Sequence, residues 1–83
     1  MPSESQLRCE ECRHAVRGYL AERAACAFPM ATIRKRVNQL ASEDFSEDEI
    51  AAALAFLSGE AQVSTATADG TLYFQATSKG VQS

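Results

Sequence analysis

The sequence predicts a single small α+β domain in which three helices precede a two-stranded β-hairpin, with room for a short strand between the first two helices. Apolar residues recur at three- and four-residue spacing through the first sixty or so positions, the period of helices that bury one face. After Gln62 the period changes to two, which is the period of a strand. The chain has 83 residues, and a chain this short supports one core. We therefore treat residues 1–83 as one domain with its core at about residues 6–80.

The first helix is predicted from residue 6 to about residue 23. One of its faces carries apolar side chains at Cys9, Cys12, Val16, Tyr19 and Leu20. Residues 24–30 then form a connector, because Phe28 precedes Pro29 and the residue before a proline is disfavoured in a helix. An extended backbone there would allow a short strand.

The second helix is predicted around Ile33, Val37 and Leu40, which follow one another at i, i+4 and i+7. This spacing places the three side chains on one buried face. The other faces are polar and basic, with Arg34, Lys35, Arg36, Asn38 and Gln39. The helix is therefore amphipathic and cationic.

The third helix begins at a capping box. Ser46 is followed three residues later by Glu49, so each side chain can satisfy a backbone donor at the helix start. Acidic residues in the first turn favour the positive end of the helix dipole, and the expected buried edge consists of Ile50, Leu54 and Leu57. Ser58 and Gly59 are predicted to end the helix, with the glycine in the left-handed conformation.

A β-hairpin completes the domain. The first strand contains Val63, Thr65 and Thr67, and the second contains Leu72, Phe74 and Ala76. The Asp69-Gly70 pair between them is a strong hairpin signal, because a mirror-image turn needs two residues that tolerate positive φ. Residues 77–80 are predicted to form a closing turn.

This order of elements resembles the winged helix-turn-helix superfamily over about residues 8–80. The segment SEDEIAAALAFLSGEAQVSTATADGTLYFQATSKG carries the resemblance, with Leu54 and Leu57 before a glycine-containing helix end, a strand, a turn and a closing T-x-K-G. From Arg13 onward the chain is similar to small bacterial and phage-type winged-helix proteins, which implies DNA binding. Around AALAFLSGEAQVSTATADG it is similar to the C-terminal winged helix of the replication protein A middle subunit, which implies binding to other proteins.

Charge is divided unevenly along the chain. Residues 1–41 carry seven Arg or Lys against four Glu, a net charge of +3, whereas residues 42–83 carry one Lys against seven acids, a net charge of −6. In a DNA-binding protein, cations contact backbone phosphates, and we assign that role to Arg34, Lys35, Arg36 and Lys79. The first hypothesis is thus a transcription-regulatory module that contacts DNA phosphates through helix 2 and the wing, with a homodimer supplying further contacts.

The third helix favours an alternative hypothesis. In a DNA-reading winged helix its exposed face carries cationic or amide side chains. Here that face contains no cation and consists of Glu47, Asp48, Ala51, Ala52, Ala55 and Phe56. Acids repel phosphates, alanines allow another backbone to approach closely, and Phe56 could anchor such a contact. The alternative is a protein-protein interaction module whose partner presents basic residues.

Cys9 and Cys12 form a Cys-x-x-Cys pair near His14 and Cys26, a pattern that zinc sites use. We expect packing instead, because both cysteines lie on the apolar stripe of the first helix and behave there as small hydrophobes. His14 lies about 160° around the helix from Cys12. The odd number of cysteines favours reduced thiols, so we expect no metal ion and no other cofactor.

Catalysis and membrane insertion find no support in the sequence. The chain has one His, it lacks a Gly-rich phosphate loop, and capping accounts for the acids at residues 43–49. No apolar run approaches the roughly 18 residues needed to span a bilayer, and residues 1–7 are polar. We expect a non-enzymatic, cytoplasmic protein.

Overall fold

The computed structural model describes residues 4–79 and places three helices against one antiparallel sheet of three strands. The elements are, in chain order, α1 (Glu4–Glu22), β1 (Phe28–Pro29), α2 (Met30–Ala41), α3 (Glu47–Gly59), β2 (Val63–Ala68) and β3 (Thr71–Ala76). The strands lie in the order β1-β3-β2. The predicted α+β class, the three helices and the short strand before α2 are therefore confirmed.

The core lies between the three helices and one face of the sheet. Among the described residues, every buried side chain is apolar. The buried residues are Cys12, Val16, Tyr19, Leu20, Ile33, Val37, Phe45, Ile50, Ala53, Leu54, Leu57, Val63 and Phe74. The helical periods predicted most of this set, but they did not predict Phe45, which belongs to the irregular segment between α2 and α3.

Two residues predicted on buried faces are exposed. Leu40 is 65% exposed; it lies near the end of α2 and lines an open groove between α1 and α2 together with Gly18. Cys9 is also exposed. It lines a cleft together with Ala52 and Ala53 of α3, so it lies at the border of the contact between α1 and α3.

Both ends of α3 depend on specific hydrogen bonds. At the start the capping box is confirmed, since Ser46 Oγ accepts from the Glu49 N–H at 3.2 Å and Glu49 Oε1 accepts from the Ser46 N–H at 3.0 Å. At the other end α3 finishes at Gly59, as predicted, but Gly59 does not adopt the left-handed conformation. The Glu60 N–H donates to the Phe56 carbonyl, and the left-handed residue is Ala61, two positions later, with φ 59°.

The hairpin has the predicted turn. Asp69 and Gly70 have φ values of 51° and 78°, and the register runs from Val63 opposite Ala76 to Ala68 opposite Thr71. After Val63 every residue of β2 is exposed, so the wing projects from the domain. Of the predicted closing turn, residue 80 lies outside the described residues.

Candidate functional site

The turn between α2 and α3 is held by side chains from both flanking helices and from α1. Asn38 forms two hydrogen bonds with the backbone of Phe45: its Nδ2 donates to the carbonyl at 3.1 Å and its Oδ1 accepts from the N–H at 2.9 Å. Arg34 Nε donates to the same carbonyl at 3.1 Å. The guanidinium carbon of Arg8 lies 5.0 Å from the Phe45 ring centroid. These contacts set the position of α3 relative to α2.

Arg8 also neutralises acids at the start of α3. Its Nε donates to Glu49 Oε2, its Nη2 donates to the Asp44 carbonyl at 2.9 Å, and its Nη1 lies 3.8 Å from Glu43 Oε2. The hydrogen bond from Arg8, followed by that from the Ser46 N–H, holds the pKa of Glu49 below its usual value. The Glu49 carboxylate is therefore already bound within the domain. The exposed acids in the first turn of α3 are Glu47 and Asp48.

The cations proposed for DNA binding are exposed but do not form one group. Arg34 and Lys35 line a cleft of about 310 Å³, whereas Arg36 lines a different cleft together with Tyr19. Glu47 lines the same cleft as Arg34 and Lys35, so an acid lies where a phosphate would bind. Lys79 is exposed and is the last described residue.

The exposed face of α3 is extended by α1. All six α3 residues proposed for protein interaction are exposed, as the helical period predicted. Phe56 is 47% exposed, and the guanidinium carbon of Arg13 lies 4.1 Å from its ring centroid. Arg13 Nε also donates to the Cys9 carbonyl at 3.3 Å, which anchors the guanidinium over the ring.

Two clefts flank this pair. One of about 300 Å³ is lined by Arg13, Arg17, Phe56 and neighbours that include Gln62. The other, of about 240 Å³, is lined by Cys9, Arg13, Ala52, Phe56 and two further residues of α3. Two partly buried arginines of α1 and six exposed residues of α3 form one area. We call this area the α1–α3 surface; it consists of Arg13, Arg17, Glu47, Asp48, Ala51, Ala52, Ala55 and Phe56.

Sequence reasoning found the α3 half of this surface and missed Arg13 and Arg17. The exposed face of α3 carries no cation, as predicted, and α1 adds Arg13 and Arg17 beside it. A signal was present in the sequence, because both arginines directly follow buried residues, Cys12 and Val16, and so lie at the border of the face that packs on another helix. Nothing in the sequence states that this helix is α3.

The cysteines do not form a reactive pair. Cys12 is buried and its Sγ donates to the Glu49 carbonyl at 3.6 Å, whereas Cys9 and Cys26 are exposed. Burial raises the pKa of Cys12 to about 11, so its thiol stays protonated at neutral pH and is a poor nucleophile or metal ligand. Within residues 4–79, no three His, Cys, Asp or Glu side chains converge in a metal-binding arrangement.

Comparisons with protein families, with curated proteins and with solved structures find no match to this chain. Across the described part of the chain, no helix combines the length and the apolar character needed to cross a membrane.

Proposed function

We propose that this protein is a non-catalytic winged-helix module that binds another protein through the α1–α3 surface. The order of elements, the pairing of β1 with β3 and the projecting C-terminal hairpin support the winged-helix assignment. The observation that carries the function is Phe56, a half-exposed aromatic ring with Arg13 stacked on it and a cleft on either side. Aromatic and arginine side chains beside small clefts are the usual anchors of protein interfaces.

The chemistry around Phe56 favours a protein over a nucleic acid. A DNA-reading α3 needs cations along its exposed face, and this face offers alanines with two acids in the first turn. Arg8 and Arg34, two cations beside the start of α3, already contact the α2–α3 turn. A protein partner could instead bury Phe56 and approach the alanines closely.

A capture experiment with cell extract tests the proposal. The immobilised wild-type protein is expected to retain a partner in a fixed ratio, and Phe56→Ala or Ala52→Arg is expected to lose it. Gln39→Arg is the matched control, because Gln39 is an exposed residue of α2 whose cleft contains no residue of the α1–α3 surface. Retention of the partner by both surface variants would refute the proposal.

DNA binding is the second candidate, and one observation favours it: Arg34 and Lys35 are exposed side by side in one cleft of α2. Four phosphate contacts would come from Arg34, Lys35, Arg36 and Lys79. A plot of the logarithm of the DNA-binding constant against the logarithm of the salt concentration would then have a slope no steeper than about −3.6. Fluorescence anisotropy with duplex DNA measures this slope. The absence of DNA binding at about 50 mM salt, where phosphate contacts are strong, would exclude this candidate. DNA binding that Lys35→Glu leaves unchanged would exclude it as well.

A further inference from the structure

We propose that the partner of the α1–α3 surface is a second copy of this chain, bound with its α3 antiparallel to the first around a two-fold axis at Ala52. The inference rests on the proposed function, since it assumes that this surface binds protein. The partner is inferred from how side-chain charge and side-chain size are distributed along α3.

Charge reverses along the α1–α3 surface. At its acidic end, Glu47 and Asp48 are exposed in the first turn of α3. At its basic end, Arg13 and Arg17 line the cleft beside Phe56, and they outnumber the one acid among the described residues of that cleft, Glu10. The two ends are separated by two helical turns, about 12 Å along the axis. The surface is therefore complementary to itself when it is turned end for end.

An antiparallel pair uses this complementarity twice. A two-fold interface brings the same patch of both copies together, so each contact occurs in duplicate. Antiparallel α3 helices place each acidic end on the basic end of the other copy. Parallel helices would place acid on acid and cation on cation, which is repulsive.

The register follows from the spacing of three residues. Asp48, Ala52 and Phe56 follow one another at i, i+4 and i+8, which forms one ridge along the helix. An axis at Ala52 places Asp48 opposite Phe56 of the second copy, each about 6 Å from the axis along the helix. Arg13, stacked 4.1 Å from the Phe56 ring centroid, then provides the guanidinium that the Asp48 carboxylate meets.

Side-chain size permits this approach. Ala51, Ala52 and Ala55 are exposed, and such short side chains let two helices pack at the lower end of the usual separation of about 8 to 10 Å. Each copy would bury one Phe56 ring against the alanines of the other. One helix face with part of α1 makes a small interface, below about 1,200 Å² in total, so we expect a weak dimer with a Kd in the micromolar range.

Sedimentation equilibrium of the full chain over a range of concentrations tests the dimer. The wild-type protein is expected to show a concentration-dependent dimer that weakens as salt is added. Asp48→Arg and Arg13→Asp are each expected to weaken it at least tenfold, because each change affects two contacts. The double variant restores opposite charges and is expected to recover dimerisation, whereas Gln39→Arg, on a part of α2 outside the surface, leaves it unchanged. Circular dichroism verifies that each variant is folded.

A disulfide test checks the position of the axis. In a chain carrying Cys9→Ser and Cys26→Ser, Ala52→Cys is expected to form a disulfide-linked dimer on mild oxidation, because a residue on a two-fold axis meets its own copy. Gln39→Cys in the same background is the control and is expected to form no disulfide-linked dimer, because Gln39 lies outside the α1–α3 surface.

The outcomes separate this inference from the proposed function. The second-copy proposal is overturned if the wild-type chain is monomeric at all concentrations. It is also overturned if the chain dimerises but Asp48→Arg leaves the affinity unchanged and Ala52→Cys forms no disulfide-linked dimer. If Ala52→Arg then still abolishes capture of a different protein, the α1–α3 surface keeps its proposed function. If capture is also unaffected, both proposals are wrong.

Discussion

Replacing Asn38 with alanine tests the contacts that position α3. The Asn38 amide forms two hydrogen bonds with the backbone of Phe45, at 2.9 Å and 3.1 Å, and the Phe45 side chain is only 1% exposed. Alanine removes both bonds at once. The Phe45 carbonyl keeps the hydrogen bond from Arg34 Nε, but the Phe45 N–H loses the acceptor that Asn38 provides.

The expected loss of stability differs between the Phe45 carbonyl and the Phe45 N–H. A lost hydrogen bond costs about 1 kcal/mol, and leaving a buried donor without an acceptor costs about 1–3 kcal/mol. The carbonyl contributes at the lower end because Arg34 remains, so we expect the free energy of unfolding to fall by about 2 kcal/mol. A domain of this length has a total stability of about 4–12 kcal/mol. The corresponding decrease in Tm is about 8–16 °C.

Thermal and urea denaturation followed by far-ultraviolet circular dichroism measure this loss. Gln39→Ala is the matched control, because Gln39 is the exposed neighbour on the same helix and its Oε1 meets Arg36 Nη1 only at 3.5 Å. We expect the control to change the free energy of unfolding by less than about 0.5 kcal/mol. Equal losses in the two variants would refute the role given to the Asn38–Phe45 pair.

Three further predictions concern backbone and charge. Gly18→Ala should raise the free energy of unfolding by about 0.5–1 kcal/mol, because Gly18 lies inside α1 and an added Cβ meets no atom within 4 Å; a loss in urea denaturation would contradict this. The same change at Gly70 should cost about 1–2 kcal/mol, because Gly70 has φ 78°; a neutral result would show that the turn can rearrange. Arg8 and the Ser46 N–H hold the pKa of folded Glu49 below its unfolded value, so this contribution is complete above about pH 4.3 and is lost as the pH falls through the lower, folded pKa. Acid titration of stability should therefore be flatter in Glu49→Gln, and an unchanged profile would reject this assignment.

The sequence by itself determined the local features. The capping box needs only Ser46 and Glu49 three residues apart, and the hairpin turn needs only Asp69 and Gly70, since each structure is formed by atoms within a few residues of one another. Helical period likewise placed most of the core, because burial of one face repeats with the geometry of the helix itself. These features were predictable because their physical cause is local.

Tertiary structure decided what the period left open. Phe45 is in an irregular turn with no period, and its burial depends on Asn38 and on Arg8 from a different helix. Leu40 satisfies the helical period and is nevertheless 65% exposed, because it lies near the end of α2 beside a groove that α1 leaves open. The basic end of the α1–α3 surface arises in the same way. Arg13 lies 43 residues before Phe56 in the chain, and only the packing of α1 on α3 brings the cation over the ring.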